Sequence, residues 1–310
     1  MRKPTISHIH LADFGAIDLA IPVLTYGSGR PTVSLVAGVH GDEVAGLFVF
    51  DKLINELPDY KGQLRLIPSA NPVAQALSLR ASPRDNLDLN RIFPGRADGQ
   101  LPELIAYRLM KILSDSDLVI DFHSFGLKNP IMAIFADCGE DEVRQKSYEY
   151  ICAFAPEMIW LLDIGNKLDL SYKGAMAPAL AARGVPNFAV EMPANHRMTE
   201  NDVSVAVEGI KSVMALAGML PQEKHEPQNP PMYRRADVHV TESGLFYPLK
   251  EIMNPIKKGE VIGHLTSIRT FESEKIKAPE DGMLLQIHTR DFVTTGQSLF
   301  SMGIPAQREI

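Results

Sequence analysis

From residue 32 onward, short runs of aliphatic and β-branched residues alternate with longer stretches whose apolar positions recur every three or four residues. TVSLVAGV (32–39), QLRLIPSAN (63–71), DLVIDFHS (117–124), PIMAIFAD (130–137), MIWLLD (158–163) and NFAVEM (187–192) read as strands. Between them, EVAGLFVFDKLINELP places Val44, Leu47, Phe48, Phe50, Ile54 and Leu57 near one side at helical spacing. PELIAYRLMKIL and DVSVAVEGIKSVMALAGML read likewise, and Thr199 with Asp202 three residues on gives the latter a capping-box-like start. Strand and helix in alternation predict an α/β fold.

PQEKHEPQNPP (221–231) breaks every periodicity and reads as a linker, which divides the chain into residues 1–220, the linker, and 232–310. Residues 236–303 are β-rich and weakly duplicated, ESGLFYPLKEIMNPIKKGEVIGHL against EDGMLLQIHTRDFVTTGQSLFSM, with Gly244 matching Gly282 and Gly259 roughly matching Gly296. This resembles the half-repeats of a barrel-sandwich domain of the biotinyl/lipoyl type. In that type a swinging-arm lysine occupies the central hairpin. Here SIRTFESEKIKAPEDG puts Phe271 and Glu272 at that position, with Lys275 and Lys277 displaced toward the next strand, which argues against a prosthetic group.

The polar residues that end these strands carry the chemistry. His40 and Glu43 follow the first strand in LVAGVHGDEVAG, Asn71 ends the second, His123 ends DLVIDF and Glu191 ends NFAV. Ligands of open α/β sheets bind at that carboxyl edge. Each residue alone has a plain structural explanation: a carboxylate complementing a helix start, a core histidine bonded to a carbonyl, a capping glutamate. Together, two imidazoles and a carboxylate with one position open form the ligand set of a catalytic zinc site, and a further carboxylate supplies a general base. Gly38 and Gly41 would let the backbone turn tightly between strand and helix.

Composition narrows the partners. With 45% hydrophobic and 22% charged residues and a net charge of −7, the chain is of ordinary globular type and offers no basic surface to nucleic acid or an anionic membrane. No segment approaches the roughly 20 apolar residues of a membrane span, and the N-terminal stretch lacks a signal peptide's apolar middle. Two cysteines, Cys138 and Cys152, fit a reducing compartment, so the expected location is cytoplasmic. Against this acidic background the turn-rich stretch RASPRDNLDLNRIFPGR (80–96) concentrates Arg80, Arg84, Arg91 and Arg96. Such a loop suits an anion, because a guanidinium can hold a carboxylate through two parallel hydrogen bonds.

GVHGDE, DLNRIFPG, DFHS and a strand ending in VE, in that order across residues 32–195, resemble the succinylglutamate desuccinylase/aspartoacylase family, zinc hydrolases related to the M14 carboxypeptidases. The resemblance implies a zinc-carboxypeptidase-like mixed sheet flanked by helices, followed by the C-terminal all-β domain. It further implies one zinc ion per chain held by His40, Glu43 and His123, with Glu191 as general base and proton shuttle. Asn90 and Arg91 would bind the substrate's carboxylate, and an upstream arginine would polarise the scissile carbonyl. Arg80 is favoured for that task and Arg84 competes with it. Asp121 is placed to orient His123, Asp42 is left unassigned, and His196 reads as loop surface.

The leading expectation is a zinc-dependent amidohydrolase of deacylase or desuccinylase type acting on an N-acyl amino acid or related small amide that carries a carboxylate, with a homo-oligomer as one arrangement. The alternative is a zinc carboxypeptidase acting on peptides, which would use the same metal, base and Arg91 grip. A third possibility makes the chain a carrier with a vestigial site and a modified Lys275 or Lys277. The C-terminal β region is expected to cover the site mouth or to make a subunit contact.

Overall fold

The computed structural model describes residues 3–13, 15, 18–124, 129–165, 167, 169–194, 198–221, 228–288 and 290–307. Most of the proline-rich segment and all of His196 lie outside them. In chain order the elements are β1 (Thr5–Asp13), β2 (Asp18–Ser28), β3 (Thr32–Ala37), α1 (Ala45–Glu56), β4 (Gly62–Ile67), α2 (Pro72–Ala76), α3 (Leu101–Leu113) and β5 (Leu118–Ser124). β6 (Met132–Ala136), α4 (Asp141–Phe154), β7 (Met158–Leu162), α5 (Met176–Ala181), β8 (Asn187–Met192) and α6 (Glu200–Leu216) follow. The C-terminal part adds β9 (Met232–His239), β10 (Gly244–Pro248), β11 (Pro255–Ile256), β12 (Val261–Ser267), β13 (Ser273–Lys277), β14 (Gly282–Ile287), β15 (Asp291–Val293) and β16 (Ser298–Pro305). No helix among the described residues is long and apolar enough to cross a membrane.

The six strands expected from the sequence all form. They lie side by side in a mixed sheet of order β1-β2-β4-β3-β5-β8-β6-β7-β9-β16-β14-β11. β4, β3, β5 and β8 run parallel, β6 runs antiparallel to β8, and β7 is parallel to β6. Every residue of β3 and of β5 is buried. That is the pattern of strands covered on both faces. On one face Phe50 of α1 and Phe154 of α4 meet Phe122 and Phe188 edge-on at centroid distances of 5.7 Å, and Val207 and Ile210 of α6 join them. On the other, Ile105, Leu109 and Leu113 of α3 pack with Leu180 of α5 against Val36 and Val119.

Three local features set the carboxyl edge. Gly38 has φ +73°, the left-handed conformation that turns the chain out of β3. At Gly41 the constraint is space: an added Cβ would lie 2.1 Å from the Ala74 carbonyl carbon. The buried face of α1 is Ala45, Gly46, Val49, Phe50 and Leu53, while Phe48 is 55% exposed. The expected stripe is therefore rotated, because the bare backbone of Gly46 is what meets Phe122 and Ala37. Asn71 is fully buried, but its side chain caps α2 by accepting from the Ala74 amide at 3.4 Å. It belongs to the scaffold. The capping box at Thr199 and Asp202 forms as the sequence implies.

The N-terminal hairpin β1–β2 is absent from the sequence reading. β2 pairs antiparallel with β4 and adds the hairpin to the sheet's edge. At the opposite side β9 pairs in parallel with β7, so the C-terminal strands continue the same sheet. A second sheet of order β13-β12-β10-β15 faces them, and Phe246, Ile262, Leu265, Leu284, Phe300 and Met302 fill the space between. The half-repeat shows directly: Gly244 opens β10 and Gly282 opens β14, while Gly259 and Gly296 adopt φ of +80° and +85°. Lys275 and Lys277 lie within β13, and the preceding turn presents Phe271, which is 73% exposed.

Candidate functional site

Strand alternation decides which side chains reach the site. On β5, Phe122 points into the aromatic core while Val119, two steps before Asp121, joins the α3 face. Asp121 and His123 therefore share that second face at the strand's carboxyl end. Glu191 stands directly opposite His123 in the β5–β8 register. The turn after β3 brings His40 and Glu43 to the same place, and one ligand atom from each of His40, Glu43 and His123 lies within 4.8 Å of the others.

The contacts around these three side chains orient them. His40 Nε2 lies 3.1 Å from Asp88 Oδ1, and His123 Nε2 lies 2.8 Å from Asp121 Oδ2. A carboxylate accepts, so each Nε2 donates to its aspartate; a bound cation would take the place of any proton on Nδ1, leaving each Nδ1 to present a lone pair to it. Those two Nδ1 atoms face each other at 3.2 Å, and Glu43 offers Oε1 at 2.9 Å from the first and Oε2 at 2.9 Å from the second. Four potential ligand atoms thus converge on one point. Ligand nitrogens about 2.0–2.1 Å from a tetrahedral zinc lie about 3.3 Å apart, so this spacing suits such an ion.

Electrostatics give the same answer. Burial pushes against charge on both imidazoles, yet Asp88 and Glu43 raise His40, and Asp121 and Glu43 raise His123 well above the ordinary histidine range. Burial likewise opposes the Glu43 carboxylate, and hydrogen bonds from His123 and His40 still hold it below the usual range. The cluster favours positive charge at its centre. The donor set therefore fits a divalent cation, with Asp88 and Asp121 holding the imidazoles as carboxylates behind metal-binding histidines do.

Glu191 is a carboxyl of another kind. Burial pushes it up to about 7, and its Oε2 is enclosed without a hydrogen-bond partner among the described residues. Its neighbour on the polar side is a cavity of about 570 Å³, lined by the His40–Glu43–His123 group and by Arg80, Asn90 and Arg91. Arg80 donates from Nη1 to Glu43 Oε1 at 3.1 Å and from Nη2 to Asp88 Oδ2 at 3.0 Å. Arg84 is exposed and does not line the cavity. Asn90 accepts from the Met176 amide through Oδ1 at 2.9 Å, and its NH2 group lies 3.5 Å from His123 Nε2. Arg91 is held by the Asn90 carbonyl at 2.8 Å and by the ring of Tyr172, 4.2 Å from its Cζ.

Several residues here escape a reading of the sequence. Asp88 lies inside the DLNR motif, yet nothing local shows that it bonds His40, 48 residues away. Tyr172 follows no strand and Trp160 lies within one, and both line the cavity. So do Arg235, Gln286, His288, Gln297 and Ser298, which places one wall of the cavity in the C-terminal region.

The fold has close counterparts. A succinylglutamate desuccinylase/aspartoacylase from Rhodobacter sphaeroides superposes with a TM-score of 0.83 at 21% identity, over 99% of this chain and 96% of that one. The product-bound ectoine utilization protein EutE of Ruegeria pomeroyi gives 0.82 at 24% identity, over 98% and 96%. In sequence, the chain is 28% identical over 284 residues to the N-alpha-acetyl-L-2,4-diaminobutyric acid deacetylase of Halomonas elongata, covering 87% of this chain and 81% of that one. The profile of the succinylglutamate desuccinylase/aspartoacylase catalytic domain matches residues 29–217, and the chain belongs to that family.

Proposed function

We propose that the protein is a zinc-dependent hydrolase that cleaves the amide bond of a small N-acyl amino acid. The observation that carries this reading is the convergence of His40 Nδ1, His123 Nδ1 and the Glu43 carboxylate beside the half-buried Glu191, whose enclosed Oε2 meets no hydrogen-bond partner among the described residues. One zinc ion per chain would be held by those three residues. When bound, zinc acidifies water to near neutrality and polarises a carbonyl oxygen.

The remaining roles fall to the protein's own side chains. Glu191 Oε2 takes a proton from the attacking water and returns it to the leaving nitrogen, a task suited to a carboxyl raised to about 7. Arg80 turns its fork toward the scissile carbonyl oxygen and stabilises the charge that develops there. The NH2 of Asn90 and the guanidinium of Arg91 hold the substrate carboxylate, which aligns the amide for attack. A deacylase is favoured over a peptidase because the C-terminal wall at Gln286, His288 and Gln297 bounds the cavity at the size of a small molecule. The names of the Halomonas and Ruegeria relatives point the same way.

The test is mass-spectrometric detection of products from N-acetyl and N-succinyl amino acids and short peptides, using zinc-loaded protein with Glu191→Gln as control. Release of a free amino acid that the variant does not support is expected. Cleavage of peptides without any deacylation would overturn the reading, and less than one zinc per chain in the metal-loaded protein would remove its chemical basis.

A further inference from the structure

Three groups diverge from the Cα of an N-acyl amino acid, and two of them have places in the proposed reaction. The carboxylate goes to Asn90 and Arg91 and the nitrogen to Glu191, so the side chain takes the direction that remains. Ala189 marks it. Alternation puts Ala189 on the same face of β8 as Glu191, about 7 Å further from the strand's carboxyl end. In the sheet register Ala189 lies between Asp121 of β5 and Ile134 of β6, and Ile134 is paired with Trp160 of β7. Leu162 follows Trp160 on that face.

The start of α5 packs over this floor and is tied to the carboxylate clamp. Asn90 Oδ1 accepts from the Met176 amide, and Ala175 and Ala177 flank that residue. Gly174 is pressed so closely on the same turn that an added Cβ would lie 2.0 Å from the Arg91 carbonyl oxygen. Ile134, Trp160, Leu162, Ala175, Ala177 and Ala189 all line the cavity, and none of them carries a charge. The three alanines leave space for a ligand's carbon chain.

Paired charges keep the floor neutral. Arg235, whose Cζ sits 4.7 Å from the Trp160 ring centroid, donates from Nε and Nη2 to Asp237 at 2.5 Å each, and Ser301 donates to the same carboxylate at 2.6 Å. Its charge is answered within the wall. Arg80 serves the reacting carbonyl and Arg91 the substrate carboxylate. Asp121 gives Oδ2 to His123 and its Oδ1 is enclosed, while Asp42 is exposed and acts on Arg80. A charged side chain on this floor would lose its hydration without meeting an open counter-charge among the described residues, whereas an aliphatic one gains by leaving water.

We infer that Ile134, Leu162, Ala175, Ala177 and Ala189 form a pocket for the substrate's side chain, so that the chain prefers N-acyl amino acids whose side chain is aliphatic and uncharged. This rests on the deacylase reading and narrows it. The experiment compares side chains of like shape: leucine, asparagine and aspartate, which all branch at Cγ, and norvaline and 2,4-diaminobutyrate, which differ by a methyl against an ammonium. Each is offered as its N-acetyl and N-succinyl derivative, with the glycine compound as the reference that has no side chain. Steady-state kinetics are measured for the zinc-loaded wild type and for Ala189→Val and Ala177→Val, which narrow the pocket from below and above. Calorimetric binding of the same compounds to the Glu191→Gln protein is the second measurement.

In the acyl series that is cleaved faster, the wild type is expected to favour leucine over aspartate, and norvaline over diaminobutyrate, by about tenfold or more in kcat/KM, with asparagine between leucine and aspartate. Each valine variant should lower the leucine-to-glycine ratio by about tenfold. A wild type that prefers aspartate or diaminobutyrate, or a leucine-to-glycine ratio that both variants leave in place, overturns the inference while deacylation stands. A wild type that hydrolyses no compound refutes the deacylase reading itself. Calorimetry then decides on the pocket: tenfold tighter binding of the leucine compound than of the aspartate compound supports it, and equal, reversed or absent binding overturns it.

Discussion

Replacing Asp88 by Asn tests whether the converging acceptors are a metal site. Asp88 serves three donors: Oδ1 takes His40 Nε2 at 3.1 Å and the Asn90 amide at 2.9 Å, and Oδ2 takes Arg80 Nη2 at 3.0 Å. Asparagine keeps one acceptor oxygen. If it faces His40, its NH2 confronts the Arg80 guanidinium, donor against donor; if it faces Arg80, His40 loses the partner that fixes its tautomer. Removing such a carboxylate from behind a metal-binding histidine typically costs 10–100-fold in metal affinity, about 1.4–2.7 kcal/mol. Asp121→Asn should cost less, because Asp121 bonds His123 through Oδ2 alone and, among the described residues, its Oδ1 has no partner to offend. Zinc affinity is read by competition with a coloured chelator, and the His40 tautomer by nitrogen NMR of labelled protein. Affinity within twofold of wild type for Asp88→Asn, with the imidazole still protonated at Nε2, would refute the argument.

Other expectations follow from the same contacts. Arg80→Ala should lower kcat about a hundredfold or more, whereas Arg84→Ala, outside the cavity, should stay within a few-fold; the reverse order in steady-state assays would reassign the carbonyl-polarising role. Glu191→Gln should lower kcat by about 10²–10⁴ while zinc content by elemental analysis stays at the wild-type level, since Glu191 is outside the ligand group. Gly41→Ala must displace the backbone of α2 at Ala74 and Gln75 and should destabilise the fold by about 1–3 kcal/mol in urea unfolding. Burial, followed by the charge of Asp137, pushes the Cys138 thiol up to about 11, so at pH 8 only about one molecule in a thousand carries the thiolate. Native protein should accordingly react slowly with a thiol reagent, more slowly than the same protein in denaturant.

What the sequence discloses and what it withholds divide along physical lines. The buried strands β3 and β5 announce themselves as apolar runs, and a polar residue terminating such a run is conspicuous; hence His40, His123 and Glu191 are visible without coordinates. β1 is not, because only Ile9 and Leu11 are buried in TISHIHLAD and the sequence FGAI between it and β2 carries no hairpin signature. The union of β9 with β7 is a contact between segments some 70 residues apart, and strand order leaves no local trace. Asp88 and Asp121 resemble any other aspartate until the imidazole beside each is seen. Asn71 errs in the opposite direction: a polar residue at a strand end satisfied the pattern, and its amide was taken by a helix cap.

The ladder from β7 through β9 to β16 places the two halves of the site under different constraints. Residues that would bind metal and move protons lie between positions 40 and 191, whereas the wall facing them is furnished by positions 235 to 298. A mutation in the second set can redraw the list of acceptable molecules while the reactive centre keeps every one of its contacts. Substrate range in this architecture can therefore drift, or be engineered, by rewriting the turns and faces of the last strands, provided the backbone pairing that anchors them is left alone.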